Sequence, residues 1–574
     1  MSTINGHANG AIAKPTGLLE PLPTLKLVPS VEKLDAGLRS LDHYRTKLPL
    51  WRYAPRQKII PLVRWETPYL AAMQKATRSS ALDTYFSITA NLGTHTFFMI
   101  VLPILFWCGY TGLGRGMVHI LASGVFFSGF IKDMWCIPRP LSPPLHRITM
   151  SHSAALEYGF PSTHSTNAVS VAVYALFLLA SPDSAVQTDL KLGLQILSSC
   201  YAVSIILGRL YCGMHGFFDV VIGGALGAFL STLQFWFGEG FDAFIHTTSC
   251  QAPIIVVLVV LILVRLHPEP ADDCPCFDDS VAFAGVIIGV ELGNWHFARS
   301  IYAWNVPVFA TVPFQLDVLG WPKTVARITM GVLMIFAWRE IMKPALLTSL
   351  PPLFRMIEKL GLSLPRRFFV QASEYEHVPG QLKDDNVIPE VSDIPSLLTS
   401  FRHPRRSRSV SIGPQSEADA YETLAYREKR RKESTRERAA DAPRIDEKNA
   451  IPDYFAMTTS NSASKRPTAH LLPTPAYSNG ELAQSMLGAE NALYTPLTPG
   501  SQSSANGSRR PSQERRQYER EEREMFSRLE KPRVRYDVEV ITKLIVYAGI
   551  AWIAVEGAPI FFQNIGLGID GPPR

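Results

Sequence analysis

Three short segments place ionisable side chains at the ends of long apolar runs. Lys132-Asp-Met-Trp-Cys-Ile-Pro-Arg139-Pro140 closes one run, Pro161-Ser162-Thr163-His164 opens the next, and Gly208-Arg209-Leu-Tyr-Cys-Gly-Met-His215-Gly-Phe-Phe-Asp219 joins two more. Charge beside a membrane span is costly to keep, so such residues point to function. Lys132, Arg139 and Arg209 are three cations with no matching set of carboxylates. A guanidinium presents a planar fork of donors that fits phosphate oxygens. The Ser162 hydroxyl and the free N–H groups at a helix start around Thr163 add neutral donors, and a helix N-terminus favours an anion. Together these make a phosphate cradle that needs no bound metal.

Two histidines supply the chemistry. His215 and Asp219 are four apart and share a face if helical. A carboxylate on one ring nitrogen would set the tautomer and leave the other nitrogen free to attack phosphorus. His164 would protonate the leaving alcohol oxygen and later activate water. The expected intermediate is a phosphohistidine on His215.

The elements that must position these groups are membrane helices. Apolar blocks of about spanning length cover 92–113, 117–131, 164–180, 192–207, 217–237, 253–266, 281–297, 325–341 and 538–562, giving about nine spans. The fifth contains Gly-Gly-Ala-Leu-Gly-Ala, small residues that let helices approach closely. The second span ends at Lys132 and the third begins at Ser162, so both lie at one membrane face. The third span leaves that face and the fourth returns to it with Arg209. Parity alone therefore brings the three segments together.

The order Lys-x6-Arg-Pro, Pro-Ser-x-His, Arg-x5-His-x3-Asp resembles the type 2 phosphatidic acid phosphatase superfamily. In that family Lys132, Arg139, Ser162, Thr163, Arg209, His164 and His215 would be phosphate-binding or catalytic positions, with Asp219 supporting the nucleophile. Thr163 stands where glycine is usual, and Gly208 where a serine often precedes the arginine. The stretch from Pro143-Pro-Leu-His-Arg through Glu157-Tyr-Gly-Phe-Pro-Ser-Thr-His164, the run Asp273-Cys-Pro-Cys-Phe-Asp-Asp and Arg535-Tyr-Asp-Val-Glu-Val look like the sphingosine-1-phosphate phosphatase branch, and most like its fungal long-chain-base members. The resemblance implies an all-α polytopic membrane protein with a helical-bundle core and metal-independent hydrolysis of long-chain base 1-phosphates. It also implies an endoplasmic reticulum membrane and a lumenal site. The motifs see only the phosphate, so phosphatidate or a polyprenyl pyrophosphate remains an alternative substrate, and an alcohol could replace water as acceptor. A lipid transporter ranks last, because no internal repeat is visible and the polar cluster sits at span ends.

The remaining composition agrees. The 574 residues are 47% hydrophobic and only 18% charged, against about 25% in soluble proteins. A net charge of +6 is modest and does not call for nucleic acid; lipid phosphate and membrane lipid are the expected partners. Residues 1–78 read as a polar N-terminal tail, 79–350 as the membrane core and 536–574 as a last span with its tail. The first 30 residues hold no apolar leader run. The basic N-terminal segment predicts a cytosolic N-terminus, which two spans would carry to a cytosolic site; an added crossing within 67–88, otherwise read as an amphipathic helix, would restore the lumenal one. Residues 351–535 read as a disordered, basic, Ser/Pro-rich insertion, too poor in apolar residues to fold, and expected in the cytosol. Among seven cysteines only Cys274 and Cys276 are paired in sequence, without a second zinc-spaced pair, so no metal or cofactor is expected. His146, Arg147 and His152 read as solvated, and Glu291 could pair with Arg327 or Arg339.

Overall fold

The computed structural model describes residues 41–379 and 534–569, apart from 93–94, 143, 149–156, 183–185, 248 and 363–364. His152 and residues 380–533 of the insertion lie outside the described residues, whereas the part expected to be disordered from 351 is ordered at its start: the helix from Leu316 runs to Lys359, and a short strand follows at Phe369–Val370. The elements are α1 (Leu41–Lys47), α2 (Leu50–Thr77), α3 (Ser80–Asn91), α4 (His95–Trp107), α5 (Thr111–Trp135), α6 (Thr163–Ala180), α7 (Thr188–Tyr211), α8 (Phe217–Thr247), α9 (Gln251–Leu266), α10 (Cys276–Phe297) and α11 (Leu316–Lys359), followed after the insertion by α12 (Val538–Trp552), a π-helical turn (Ile553–Gly557) and α13 (Ala558–Asn564). Two short strands, β1 (Phe369–Val370) and β2 (Arg535–Tyr536), pair in parallel.

Five helical stretches among the described residues are long and apolar enough to cross a membrane: α5, α6, α7, most of α8, and α12 continued through α13. Helices α4 and α9 are apolar but shorter, at 13 and 16 residues. The expected span at 92–113 is divided, because residues 108–110 turn the chain between α4 and α5. Likewise 67–88 is not one amphipathic helix: α2 ends at Thr77 and α3 starts at Ser80.

Close backbone approach sets the catalytic bundle. A Cβ on Gly223 or Gly227 of α8 would collide with the carbonyl oxygens of Ser162 or Thr166 on α6. These glycines therefore let α8 lie against the start of α6. Gly285 and Gly289 of α10 do the same for α12, meeting the carbonyls of Leu544 and Ala548. Around Trp107, whose Nε1 donates to the Ala554 carbonyl (2.9 Å), side chains from α4, α5, α10, α11 and α12 form the largest apolar cluster among the described residues.

Residues 41–77 belong to the segment assigned by composition to a polar tail, yet they are helical. Arg52 Nε donates to Met134 O (2.7 Å) and Arg56 Nε to Cys136 O (3.0 Å). These bonds satisfy carbonyls left open at the C-terminus of α5, where Cys136 turns left-handed. Gln74 donates to His146 O (2.7 Å) and Tyr211 O (2.9 Å) and accepts from His146 N (2.8 Å). From Arg52 to Gln74, α2 thus lies along the end of the bundle that carries Lys132.

Polar side chains gather at the opposite end as well. Glu291 accepts from Arg115 (3.1 Å) and faces His119 (2.6 Å), while Asp242 also holds Arg115 (3.0 Å). Arg327 instead donates to Pro313 O (3.1 Å), and Arg339 pairs with Glu340 (2.8 Å). The expected Glu291–Arg327 or Glu291–Arg339 pair is thereby corrected: α10 packs its Glu291 face on α5, so Arg115 is the partner. Removing one member strands a buried charge. Glu291→Ala is expected to destabilise the protein by about 3–5 kcal/mol, seen as a lower midpoint in thermal unfolding in detergent. A midpoint equal to wild type would mean that Asp242 alone balances Arg115.

Candidate active site

Lys132 stands one turn before the end of α5, and the chain then brings Arg139 to the same Glu157 carboxylate. Ser162 caps α6, accepting from Ser165 N (3.3 Å) and Ser165 Oγ (2.9 Å). Thr163 Oγ1 lies 2.9 Å from Ser128 Oγ, which ties the start of α6 to α5. The Ser162 amide donates to Asp219 O (3.0 Å), joining the start of α6 to the start of α8. All eight residues singled out in the sequence meet at this one end of the bundle. Lys132, Arg139, Ser162, Thr163, Arg209, His215 and Asp219 are buried, and His164 is half-buried.

His215 has a defined tautomer. Its Nδ1 lies 2.9 Å from Gly159 O. A carbonyl can only accept, so Nδ1 carries the proton and Nε2 the lone pair. Nε2 accepts from Arg139 NH1 (3.1 Å), which also donates to Met214 O (2.7 Å). The carboxylate of Asp219 is 3.7 Å from Nδ1 and accepts instead from Gly216 N (2.9 Å). The orienting bond expected from Asp219 is therefore made by a backbone carbonyl, because Gly159 O lies nearer to Nδ1 than the Asp219 carboxylate does. Asp219 holds the turn that carries His215 and lends nearby negative charge. Burial first, then the charges of Arg139, Lys132 and Arg209, hold the His215 imidazole well below its ordinary 6.5. It is neutral at neutral pH, as a nucleophile must be. The charge of His164 acts on it too, which places both histidines in one electrostatic neighbourhood.

The cations converge as expected, but with a carboxylate among them. Glu157 Oε2 is 2.7 Å from Lys132 Nζ and 3.7 Å from Arg139 NH2, and its carbonyl accepts from Arg139 Nε (3.0 Å). Arg209 is buried, and among the described residues its Nε has no hydrogen-bond partner. Arg147 is buried, donating to Pro140 O (3.0 Å), whereas His146 is exposed. Of the two described residues, His146 fits the solvated reading and Arg147 does not, because Gln74 fixes the loop that turns Arg147 inward.

Glu66 was missed. It reaches in from α2, is buried, and its Oε1 accepts from Phe218 N (3.0 Å) at the start of α8. Burial pushes its carboxyl up, while the Phe218 and Phe217 amides pull it down. A Cβ on Gly216 would strike Glu66 Oε2, so a larger residue there would push the Glu66 carboxylate aside. One acid in a polar stretch carries no periodic signal that could have revealed this.

The fold also brings Asp133 to Cys274 and Cys276, with one potential ligand atom from each mutually within 4.8 Å. The two sulfurs are 2.6 Å apart, closer than the roughly 3.8 Å that tetrahedral zinc with ~2.3 Å bonds requires. In this conformation the cysteines do not frame such an ion. Arg535 NH1 donates to Cys274 O (3.0 Å) and Arg366 NH1 to His267 O (3.0 Å). Both ends of the insertion are thus fastened at the end of the bundle that holds the site.

A site of this kind, with a neutral histidine aimed into buried cations, suits in-line attack on a phosphate ester. Residues 113–241, which contain every catalytic candidate, match the PAP2 superfamily model. The chain is 39% identical over 360 residues to a dihydrosphingosine 1-phosphate phosphatase of Schizosaccharomyces pombe, covering 62% of this chain and 86% of that one. The chain belongs to the PAP2 superfamily. Within it, a dihydrosphingosine 1-phosphate phosphatase of Saccharomyces cerevisiae is 34% identical over 343 residues (59% of this chain, 83% of the relative). Human sphingosine-1-phosphate phosphatase 2 is 26% identical over 302 residues (50% and 73%). These relatives place this PAP2 protein in the sphingosine-1-phosphate phosphatase branch. No solved structure matches the chain.

Proposed function

We propose that this PAP2 protein hydrolyses sphingoid long-chain base 1-phosphates to the free base and phosphate, through a phosphohistidine on His215. The observation that carries the reading is the Nε2 lone pair of His215, fixed by Gly159 O and directed at Arg139. Phosphate entering the cradle takes over the Arg139 donor and frees that lone pair. Nε2 then attacks phosphorus, the P–O ester bond breaks, and His164 gives its proton to the leaving alkoxide. In the second half His164 takes a proton from water, the oxygen attacks phosphorus, and the P–N bond breaks. Lys132, Arg139 and Arg209 balance charge on the equatorial oxygens in both steps, with Ser162 and the amides at Thr163 as neutral donors. No cofactor enters this scheme.

The test is phosphate release in detergent, with EDTA present, from dihydrosphingosine 1-phosphate, phosphatidate and farnesyl pyrophosphate. Release mainly from the first is expected. Equal release from all three would keep the chemistry and widen the substrate class, and no release would overturn the reading.

The proposed location is the endoplasmic reticulum membrane with the site facing the lumen, supported by the branch resemblance. The α2 helix and both fastened ends of the insertion lie at the same end as the site, so a lumenal site and a cytosolic insertion are incompatible. A lumenal insertion does not conflict with its basic character, since long loops are translocated largely regardless of charge. Protease protection of a tag within 380–533 would therefore report the side of the catalytic face; digestion of that tag in intact microsomes would place the site in the cytosol.

A further inference from the structure

We propose that Glu157 is the acceptor for the ammonium group of the substrate, and so selects amine-bearing lipid phosphates over amine-free ones. The proposal rests on the phosphatase reading above. Its starting point is an apparent misfit. A carboxylate whose Oε2 lies 2.7 Å from Lys132 Nζ and 3.7 Å from Arg139 NH2 competes with phosphate for those cations and repels it at close range. For an ordinary phosphate monoester such a group only weakens binding. It becomes useful when the substrate brings its own cation next to its phosphate.

A sphingoid base 1-phosphate does so. Its primary ammonium sits on the carbon adjacent to the one bearing the ester. When phosphate occupies Lys132 and Arg139, Glu157 is displaced from them at the place where the ammonium arrives, and one ion pair replaces another. The surroundings permit this exchange. The Glu157 side chain is 22% exposed, against 4% for Lys132, so it can swing without stranding a charge in the interior. Its backbone stays anchored, because Arg139 Nε holds the Glu157 carbonyl (3.0 Å). Asp219 and Glu66 are poorer acceptors for an incoming cation: both are buried and accept from the amides of Gly216 and Phe218.

The experiment compares dihydrosphingosine 1-phosphate with its N-acetyl derivative, which keeps the chain and phosphate but loses the charge. In Glu157→Gln the ratio of the two kcat/KM values is expected to fall at least about tenfold from wild type, the worth of one hydrogen bond to a charged group. The loss should lie on the amine-bearing lipid. Glu157→Asp, which keeps the charge, should retain most of the preference. Equal loss on both lipids, or an unchanged ratio, overturns the assignment and makes Glu157 a brace for Lys132 and Arg139. No hydrolysis of either lipid by the wild-type protein overturns instead the phosphatase reading beneath it.

Discussion

His215→Ala is expected to lower turnover of dihydrosphingosine 1-phosphate by about 10⁴-fold or more, in line with loss of the nucleophile elsewhere. The size follows from the absence of a substitute among the described neighbours. Gly159 O and Met214 O are carbonyls, and Arg139 is a cation held at the same point. Cys212 is buried at the end of α7, and burial pushes its thiol up, away from the reactive thiolate. Wild-type protein quenched in alkali during turnover of ³²P-labelled substrate should carry a label that acid removes, and the variant should carry none. Neutral His215 also predicts the shape of the pH profile. Its conjugate acid is disfavoured by burial and by three cations. Acidification from neutrality should therefore not silence the nucleophile until well below 6.5. Activity surviving in the variant, or a label that persists in acid, would remove His215 from the mechanism.

His164→Ala is expected to cost about 10²–10⁴-fold, the usual worth of a general acid–base. The effect should depend on the leaving group. A long-chain base leaves as a poor alkoxide and needs the proton, whereas an aryl phosphate leaves without one. The defect should therefore shrink with an aryl phosphate in the first half-reaction. Hydrolysis of the intermediate also needs His164, so phosphoenzyme should accumulate with the aryl substrate and decay slowly. Equal defects on both substrates, with no accumulation, would reassign His164 to phosphate binding. Its half-buried position at the first turn of α6 suits a group that must exchange protons with both substrate and water.

The chemistry was legible because its demands are local. A cation at the end of α5, a serine and histidine at the start of α6 and an arginine near the end of α7 are fixed by span order, and parity of crossings sends them to one face. Residue type then names the ligand, since a guanidinium fork and a helix N-terminus both select an oxyanion. Gly223 and Gly227 could likewise be read as a packing face, because only small residues permit backbone contact between helices.

Legible in the residues alone, then, were the membrane class, the family, and the cluster of cations and two histidines that reads as a phosphate cradle. Which groups complete that cluster was left to the assembled fold. Gly159 O, rather than Asp219, accepts the His215 Nδ1 hydrogen and sets the tautomer, and a backbone carbonyl leaves no trace in residue type. Glu66 and Gln74 brace the site from α2, a helix whose polarity resembles that of a tail until its partners are seen. Glu291 takes Arg115 rather than Arg327 or Arg339, because helix packing selects the partner among charges that look alike in sequence. The insertion ends dock at the catalytic end because β1 and β2 pair across more than 160 residues. Contacts of that separation depend on how the helices assemble, and local composition does not encode them.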